Sequence, residues 1–304
     1  MSPLHDVSDQ SHDFRQKQAT VRDRPTDVSQ CHEARNGRVR PCERHLLLEE
    51  PLLIQINDRP LVSLMRTPGH EIDLTVGFLI SEGLIAARSE IGAISLCART
   101  GHNAVRVVPV QGSALASPSH AAHRRVFSSC GICGKEVIEA AMCGKVPFHL
   151  EHGRLTLEGI RLLGERMRQH QVLFEQTGAT HAAALAVRPL TSQAIQSAIV
   201  REDVGRHNAM DKVIGAAVLK GIELRRSVVF LSGRLSFEMV AKAARAGIAD
   251  VVGASAPTAL AVSLARQLGM FLAGFARGAT LTIYSGAEAI EEAFISGRFQ
   301  LPGE

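Results

Sequence analysis

The sequence predicts a three-layer α/β domain preceded by a small α+β unit. Two observations carry this. From residue 182 onward, short apolar and β-branched stretches alternate with segments of helical periodicity, the pattern of a sheet covered by helices. Aromatic residues are also scarce: the 304 residues include no Trp and a single Tyr, Tyr284. Ala, Val, Leu and Ile must therefore fill the core, which favours helices packed on a buried sheet over a sandwich with aromatic layers.

The elements follow in order. Residues 1–44 mix Asp, Glu, Arg, His, Ser and Gln with few apolar positions. Such a composition does not offset its ordering entropy, so a disordered polar tail with a solvated role is expected. Leu46–Asn57 and Leu61–Met65 flank the turn signal Asp58-Arg59-Pro60 and read as a hairpin. Thr67-Pro68 open a helix expected to run to Ser81, with Gly83 as its stop. Ile91–Ala98 and Asn103–Val110 read as a second hairpin turning at Gly101. Residues 45–112 thus form the small α+β unit. A cysteine-bearing loop, 113–135, leads into the α/β domain, 136–304. Helices are expected over Glu136–Met142 and near Leu157–Gln176. Strands are expected at Ala182–Val187, Ser197–Arg201, Ser227–Leu231, Asp250–Ala254 and Leu281–Tyr284, with helices at His207–Leu219, Ser236–Ala246 and Pro257–Leu268 between them.

Composition excludes several classes. The chain is 45% apolar with a formal net charge of +4, which suits an anionic ligand but gives no nucleic-acid footprint. Met1–Gln16 lacks the apolar stretch of a signal peptide. No apolar run reaches the ~18 residues of a membrane span; the most apolar region, Val251–Ala265, is broken by Gly253, Ser255, Pro257 and Ser263. The six cysteines are expected in a reducing cytoplasm. Cys31, Cys42 and Cys97 receive no role at this level.

The run Phe127-Ser-Ser-Cys-Gly-Ile-Cys-Gly-Lys135 holds the chemistry. A thiolate is the nucleophile, and its formation is favoured by a nearby cation, a helix N-terminus or a Cys-X-X-Cys pair. Cys130 and Cys133 have all three. Four readings fit such a pair: half of a structural zinc site completed by Cys143 and His149, a thioredoxin-like disulfide, a sulfur carrier holding a persulfide, or two inert thiols. The disulfide reading expects the pair at the start of an early βαβ helix, whereas here it follows a long loop, Gln111–Arg125. The flanking glycines and polar residues speak against inert thiols.

Polar residues collect where strands should lead into helices, which is where α/β sheets bind ligands. The clusters are Gly178-Ala-Thr-His181, Arg201-Glu-Asp-Val-Gly-Arg-His-Asn208 with Asp211 and Lys212, Ser232-Gly-Arg-Leu-Ser-Phe-Glu238, Ser255-Ala-Pro-Thr258 and Gly274-Phe-Ala-Arg-Gly-Ala-Thr280. Any one of them is ordinary helix capping. Five together suggest a shared crevice for a large phosphorylated ligand, with Arg206, His207 and Arg234 beside free helix N–H groups. No phosphate-binding or dinucleotide glycine fingerprint is present. The deaminase pattern H-x-E with P-C-x-x-C is missing too, since Ala182-Ala183 follow His181.

Taken together, the residues resemble the formate dehydrogenase accessory sulfurtransferase (FdhD) family. The resemblance covers roughly residues 45–290. It rests on Glu49-Glu-Pro-Leu52, Arg66-Thr-Pro68, Ser129-Cys-Gly-Ile-Cys-Gly134, Thr180-His-Ala-Ala183, Asp203-Val-Gly-Arg-His-Asn208, Asp211-Lys212, Ser232-Gly-Arg234, Ser255-Ala-Pro-Thr258 and Gly274-Phe-Ala-Arg277. The resemblance implies a cytidine-deaminase-like domain without its zinc site, and a homodimer. It implies a sulfurtransferase that takes sulfur from a cysteine desulfurase and delivers it to the molybdenum cofactor, bis(molybdopterin guanine dinucleotide), for formate dehydrogenase. On this chain Cys130 then carries the persulfide and Cys133 assists. Phe275, Ala276, Arg277, Gly278, Ala279 and Thr280 match the family's cofactor-binding segment, and Thr180, His181, Arg206, His207, Arg234 and Ser255 join them. No permanent metal, nucleic-acid partner or membrane partner is expected. The alternative is a zinc-stabilised chaperone that binds a nucleotide-like cofactor without moving sulfur.

Overall fold

Alternating burial marks the apolar strands between residues 50 and 109. The computed structural model describes residues 25–97, 103–113, 115, 148–149, 154–278 and 280–291. Strands β1 (Thr26–Arg35) and β2 (Arg38–Leu47) form an antiparallel arm. The expected disordered tail is therefore corrected for residues 26–44. The two-residue loop Asn36-Gly37 explains why. Both residues have positive φ, 52° and 73°, as the tight hairpin turn demands, and Glu33 pairs with Arg44 at 2.6 Å across the strands. The ladder thus orders a segment whose composition alone argues against order.

Strands β3 (Glu50–Ile56), β4 (Arg59–Arg66), β5 (Ile91–Cys97) and β6 (Ala104–Pro109) form a second sheet in the order β4-β3-β6-β5. Both expected hairpins are present, and β3 joins them by running parallel to β6. The strand expected from Leu46 is broken, since Leu48 and Glu49 separate β2 from β3. Helix α1 (Glu71–Ser81) starts four residues later than Thr67. The backbone of Thr67 is instead tied to Asp203, and His70 is left-handed at φ 63°.

The second half contains α2 (Leu157–Gln169), α3 (Val172–Thr177), β7 (His181–Val187), α4 (Ser192–Gln196), β8 (Ile199–Asp203), α5 (Arg206–Leu219), β9 (Ser227–Leu231), α6 (Phe237–Arg245), β10 (Asp250–Gly253), α7 (Ala259–Gln267), β11 (Phe271–Arg277) and β12 (Thr280–Ser285). The helix expected near Leu157–Gln176 is two helices, separated at His170 and Gln171. Strand β11 and the short α4 are not anticipated by the sequence. The helix expected at Glu136–Met142 lies outside the described residues.

The six strands form a mixed sheet in the order β12-β11-β10-β9-β7-β8. Its strands are apolar on both faces, as a doubly covered sheet requires. Ala182, Ala184, Val228, Phe230 and Phe271 face Ile160, Leu163 and Met167 of α2. Ala183, Leu185, Val229, Val251 and Leu272 belong to a core shared with α5, α6 and α7, which continues through α1 to Leu52, Ile54, Val105 and Val107 of the four-stranded sheet. The α/β class is therefore as expected.

Helices α1 and α5 cross with backbones in contact. A Cβ on Gly77 would lie 1.7 Å from the Asp211 carbonyl oxygen, and one on Gly215 would lie 1.8 Å from that of Asp73. Neither neighbour is a side chain that can move away. Gly77→Ala is therefore expected to lose about 3 kcal/mol or more, the upper end of overpacking costs, measured by urea unfolding. An unchanged midpoint would show that the helices do not pack this closely.

Candidate functional site

Strand direction decides where the polar clusters meet. Strands β9, β10 and β11 are parallel, so their carboxyl ends share one edge of the sheet. Strands β7 and β12 run antiparallel to their neighbours β9 and β11 and begin at that edge, with His181 and Thr280. Strand β8 pairs with β7 so that Asp203 stands opposite His181. Thr180, His181, Arg206, His207, Arg234, Ser255, Phe275, Ala276, Arg277, Gly278 and Thr280 thus fall along a single edge. Strand neighbours lie about 4.8 Å apart, so this edge extends roughly 24 Å from β8 to β12. Ala279, Cys130 and Cys133 lie outside the described residues, as does Cys143 of the zinc alternative.

The loops on this edge are laced to one another. Ser232 exchanges bonds with Ala182: its Oγ accepts from the Ala182 N–H at 2.8 Å, and its own N–H donates to the Ala182 carbonyl at 3.0 Å. Leu235 is fully buried and fills the space a side chain on Gly253 would take. The Leu235 N–H donates to the Ala256 carbonyl and the Thr258 N–H to the Leu235 carbonyl, both at 3.0 Å. The Phe275 N–H reaches the Ser255 carbonyl at 3.2 Å, and Arg277 Nε donates to the Ala254 carbonyl at 2.8 Å.

Two groups of side chains result. Near β7, a Cβ on Gly233 would lie 3.2 Å from His181 Nδ1 and 3.6 Å from Arg206 Cβ, which puts these residues side by side. His207 Nε2 lies 2.9 Å from Glu238, and Arg206 is 3.9 Å from the same carboxylate. Sequence reasoning leaves Glu238 unassigned; its signal was its place in the first turn of α6. Helices α5 and α6 have no side-chain cap at their N-termini, Gly205 and Ser236. Arg206 Nε and Ser236 Oγ are both buried without a hydrogen-bond partner. The second group lies near β11. Phe275 is left-handed at φ 51° and half-exposed, at a register break between β11 and β12. A bulky residue in that region is strained, and such strain clusters at functional sites.

Other expected residues serve the scaffold. Thr180 is buried and its hydroxyl donates to Glu202 at 2.6 Å. The Ala276 side chain packs into the core, so its backbone is what the edge presents. Asp203, Asp211 and Lys212 are buried in ion pairs behind the edge rather than facing it.

Electrostatics at the edge are cationic. Burial lowers the pKa of His181, and Arg206 and Arg234 lower it further. His207 is lowered chiefly by burial and by Arg206, with Glu238 opposing. With the imidazole pKa values lowered, the guanidinium groups of Arg206 and Arg234 supply the positive charge of this edge.

Comparison with known proteins agrees with the motifs. The FdhD/NarQ family profile matches residues 47–291. The chain belongs to this family. A "Sulfur carrier protein FdhD" from Streptomyces coelicolor is 40% identical over 265 residues, covering 84% of this chain and 92% of that protein. One of the same name from Mycobacterium tuberculosis is 38% identical over 258 residues, covering 81% and 91%. A crystal structure from Desulfotalea psychrophila, classed as a formate dehydrogenase accessory protein, superposes with a TM-score of 0.69 at 26% identity. The match covers 88% of this chain and all of that one.

Replacing Arg206 tests the first group. Both histidines are expected to titrate below the ordinary ~6.5. In Arg206→Ala both should move upward, because a neighbouring positive charge that opposes protonation is gone. NMR titration of the ring protons reads this. Unmoved His181 and His207 resonances would separate Arg206 from them.

Proposed function

We propose that the protein is a sulfurtransferase of the cytoplasm. It carries sulfur as a persulfide from a cysteine desulfurase to bis(molybdopterin guanine dinucleotide) bound along the sheet edge, for use by formate dehydrogenase. The observation that carries the ligand half of this reading is the pair of uncapped N-termini of α5 and α6, with the unpartnered Arg206 Nε and Ser236 Oγ beside them. Phosphate groups meet helix N–H donors and cations at such ends. The length of the edge suits an extended dinucleotide ligand rather than a single phosphate. The sulfur half is supported by family membership and by the relatives' name, sulfur carrier.

In the first step the Cys130 thiolate attacks the terminal sulfur of the desulfurase persulfide. The old S–S bond breaks, the desulfurase thiolate leaves, and Cys130 holds the persulfide. In delivery the outer sulfur would be transferred as neutral sulfur to an electron pair of the acceptor: the S–S bond breaks, the Cys130 thiolate leaves and the acceptor is oxidised by two electrons. Cys133 can resolve a mixed disulfide or a stalled persulfide by exchange. Arg206, Arg234 and Arg277 hold ligand phosphates, while His207 is steadied by Glu238. The reading includes a homodimer and treats the three-layer domain as related to cytidine deaminases without their zinc, which the helix-sheet-helix layering supports. Among the described residues no helix is long and apolar enough to cross a membrane.

Intact-mass measurement after incubation with a desulfurase and cysteine tests the sulfur half. A reductant-sensitive gain of one sulfur is expected, and it should be lost in Cys130→Ala. Undiminished loading there would remove Cys130 from the mechanism. Stoichiometric zinc that disappears in Cys133→Ala would favour the zinc-stabilised chaperone instead.

Titration with GDP tests the ligand half. Arg206→Ala and Arg234→Ala should each lose about 1.5–3 kcal/mol, roughly ten- to hundredfold in affinity, while Cys130→Ala binds GDP normally and Arg234→Ala still accepts sulfur. Unchanged affinity in both arginine variants would move the ligand away from this edge.

A further inference from the structure

The β1–β2 arm holds a second thiol pair, and it lies outside the span that the family profile matches, residues 47–291. The Asn36-Gly37 turn fixes the strand register, and that register sets Cys31 directly opposite Cys42. Their sulfur atoms are 3.3 Å apart. Counting outward from the turn, the closing pair Arg35 and Arg38 exchanges hydrogen bonds, and the pattern then alternates. Cys31 and Cys42 fall in the hydrogen-bonded set, while Pro41, which lacks an N–H, falls opposite His32 in the other. Opposed residues of the hydrogen-bonded set have Cα atoms about 5.5 Å apart, within the usual disulfide range of about 4.4–6.8 Å. Both cysteines are free and half-buried, whereas Gln30, His32, Pro41 and Glu43 around them are exposed. Small reagents can therefore reach the thiols. The Cys31 thiol is pushed above its ordinary range, first by its hydrogen bond to Cys42, so Cys31 rests protonated.

The geometry points to a thiol–disulfide exchange site at Cys31 and Cys42, whose substrates are low-molecular-weight disulfides such as glutathione disulfide and whose product is a bond clasping the arm. One thiol, deprotonated, attacks a sulfur of the small disulfide and expels one small thiolate. The second protein thiol then attacks the protein sulfur of this mixed disulfide and expels the other small thiol. The two cysteines lose two electrons and two protons, and the small disulfide is reduced to two thiols. Small thiols in excess reverse the sequence. Exposed or strained disulfides have the more oxidising potentials that make such exchange reversible. A bond spanning a rigid ladder at a solvent-accessible arm fits that class.

The test uses the full chain. Reduced protein is equilibrated in a series of glutathione and glutathione disulfide mixtures, quenched by alkylation and digested with trypsin. Cleavage after Arg35 and Arg38 places the two cysteines in separate peptides unless they are bonded. A joined peptide, lighter by two hydrogens than its parts, is expected to go from absent to dominant across the series and to disappear again on return to reduced glutathione. The same result is expected in Cys130→Ala/Cys133→Ala. Cys31→Ser should instead retain a glutathione adduct on Cys42. Alkylation of both cysteines in every mixture would overturn the proposal, as would a joined peptide that requires Cys130 or Cys133. Cys31→Ser/Cys42→Ser should accept sulfur from a desulfurase as the parent does, so the outcome here is separate from that of the sulfur-carrier reading.

Discussion

The structure depends on how the carboxylate of Asp203 is satisfied. It is fully buried, and an unpaired buried charge would be prohibitively costly. Four donors meet it: the N–H groups of Gly205 at 2.9 Å and Thr67 at 3.2 Å, Asn208 Nδ2 at 2.9 Å and Lys212 Nζ at 2.7 Å. These come from the end of β8, the lead into α1 and the first two turns of α5, so all three must be in place together. Lys212 is equally buried; desolvation pushes its pKa down while Asp203 pulls it back, and its ammonium also donates to the Thr67 carbonyl at 3.0 Å. At the adjoining position of α5, buried Asp211 accepts from Ser81 at 2.6 Å and pairs with Lys242 at 2.8 Å, and Lys242 reaches Glu82 at 2.8 Å. Replacing such pairs by apolar groups can be neutral, but removing one member is severe. Their effect is to tie α1 and the segment leading into it to α5 and to the end of β8.

That constraint positions the site. Arg206 and His207 open the helix whose Asn208, Asp211 and Lys212 belong to this buried network. The buried side of α5 anchors it, and its exposed start presents charge at the sheet edge. Glu238 provides the counterweight. It holds His207 closely and Arg206 loosely, at 2.9 Å and 3.9 Å. Under the proposed function, a ligand phosphate would compete with a weak pair for Arg206 and leave the closer His207 contact intact. Partly exposed pairs of this kind contribute little to stability, so releasing Arg206 is inexpensive for the fold. At the far end, the strained Phe275 and exposed Arg277 mark the edge independently of any helix terminus.

Much of this was legible in the sequence where one local signal decides. The strand-helix alternation from Ala182 gives the domain class, and the clustering of polar residues at junctions gives the edge. Strand β11 was missed because Phe271-Leu-Ala-Gly-Phe-Ala-Arg277 carries Gly274 in its middle. That glycine is there because a side chain would meet the Ser255 carbonyl at 2.8 Å, a tertiary cause with no local trace. The structural roles of Asp203, Asp211 and Lys212 have no local trace either: in the sequence they stand among the polar residues of a strand-helix junction, and only their burial sets them apart. The arm was missed on composition, although Asn36-Gly37 is a strong short-range hairpin signal. Mean polarity of a window says little about a two-stranded ladder that exposes both faces.

The two cysteine pairs illustrate how backbone sets sulfur chemistry. A carrier must hold a persulfide long enough to hand it on. On the arm, a persulfide formed on Cys31 would face the Cys42 sulfur across a rigid ladder, with a starting separation of 3.3 Å. Cys42 would attack the inner sulfur, hydrosulfide would leave, and the pair would end as a disulfide. The arm is thus suited to electron exchange and poorly suited to sulfur storage. Cys130 and Cys133 are separated along the chain by Gly131 and Ile132 and followed by Gly134. The glycines leave room for another protein's sulfur to approach, as the proposed carrier role requires. Clasping an arm requires instead a fixed separation of two sulfurs, and the β1–β2 register supplies it.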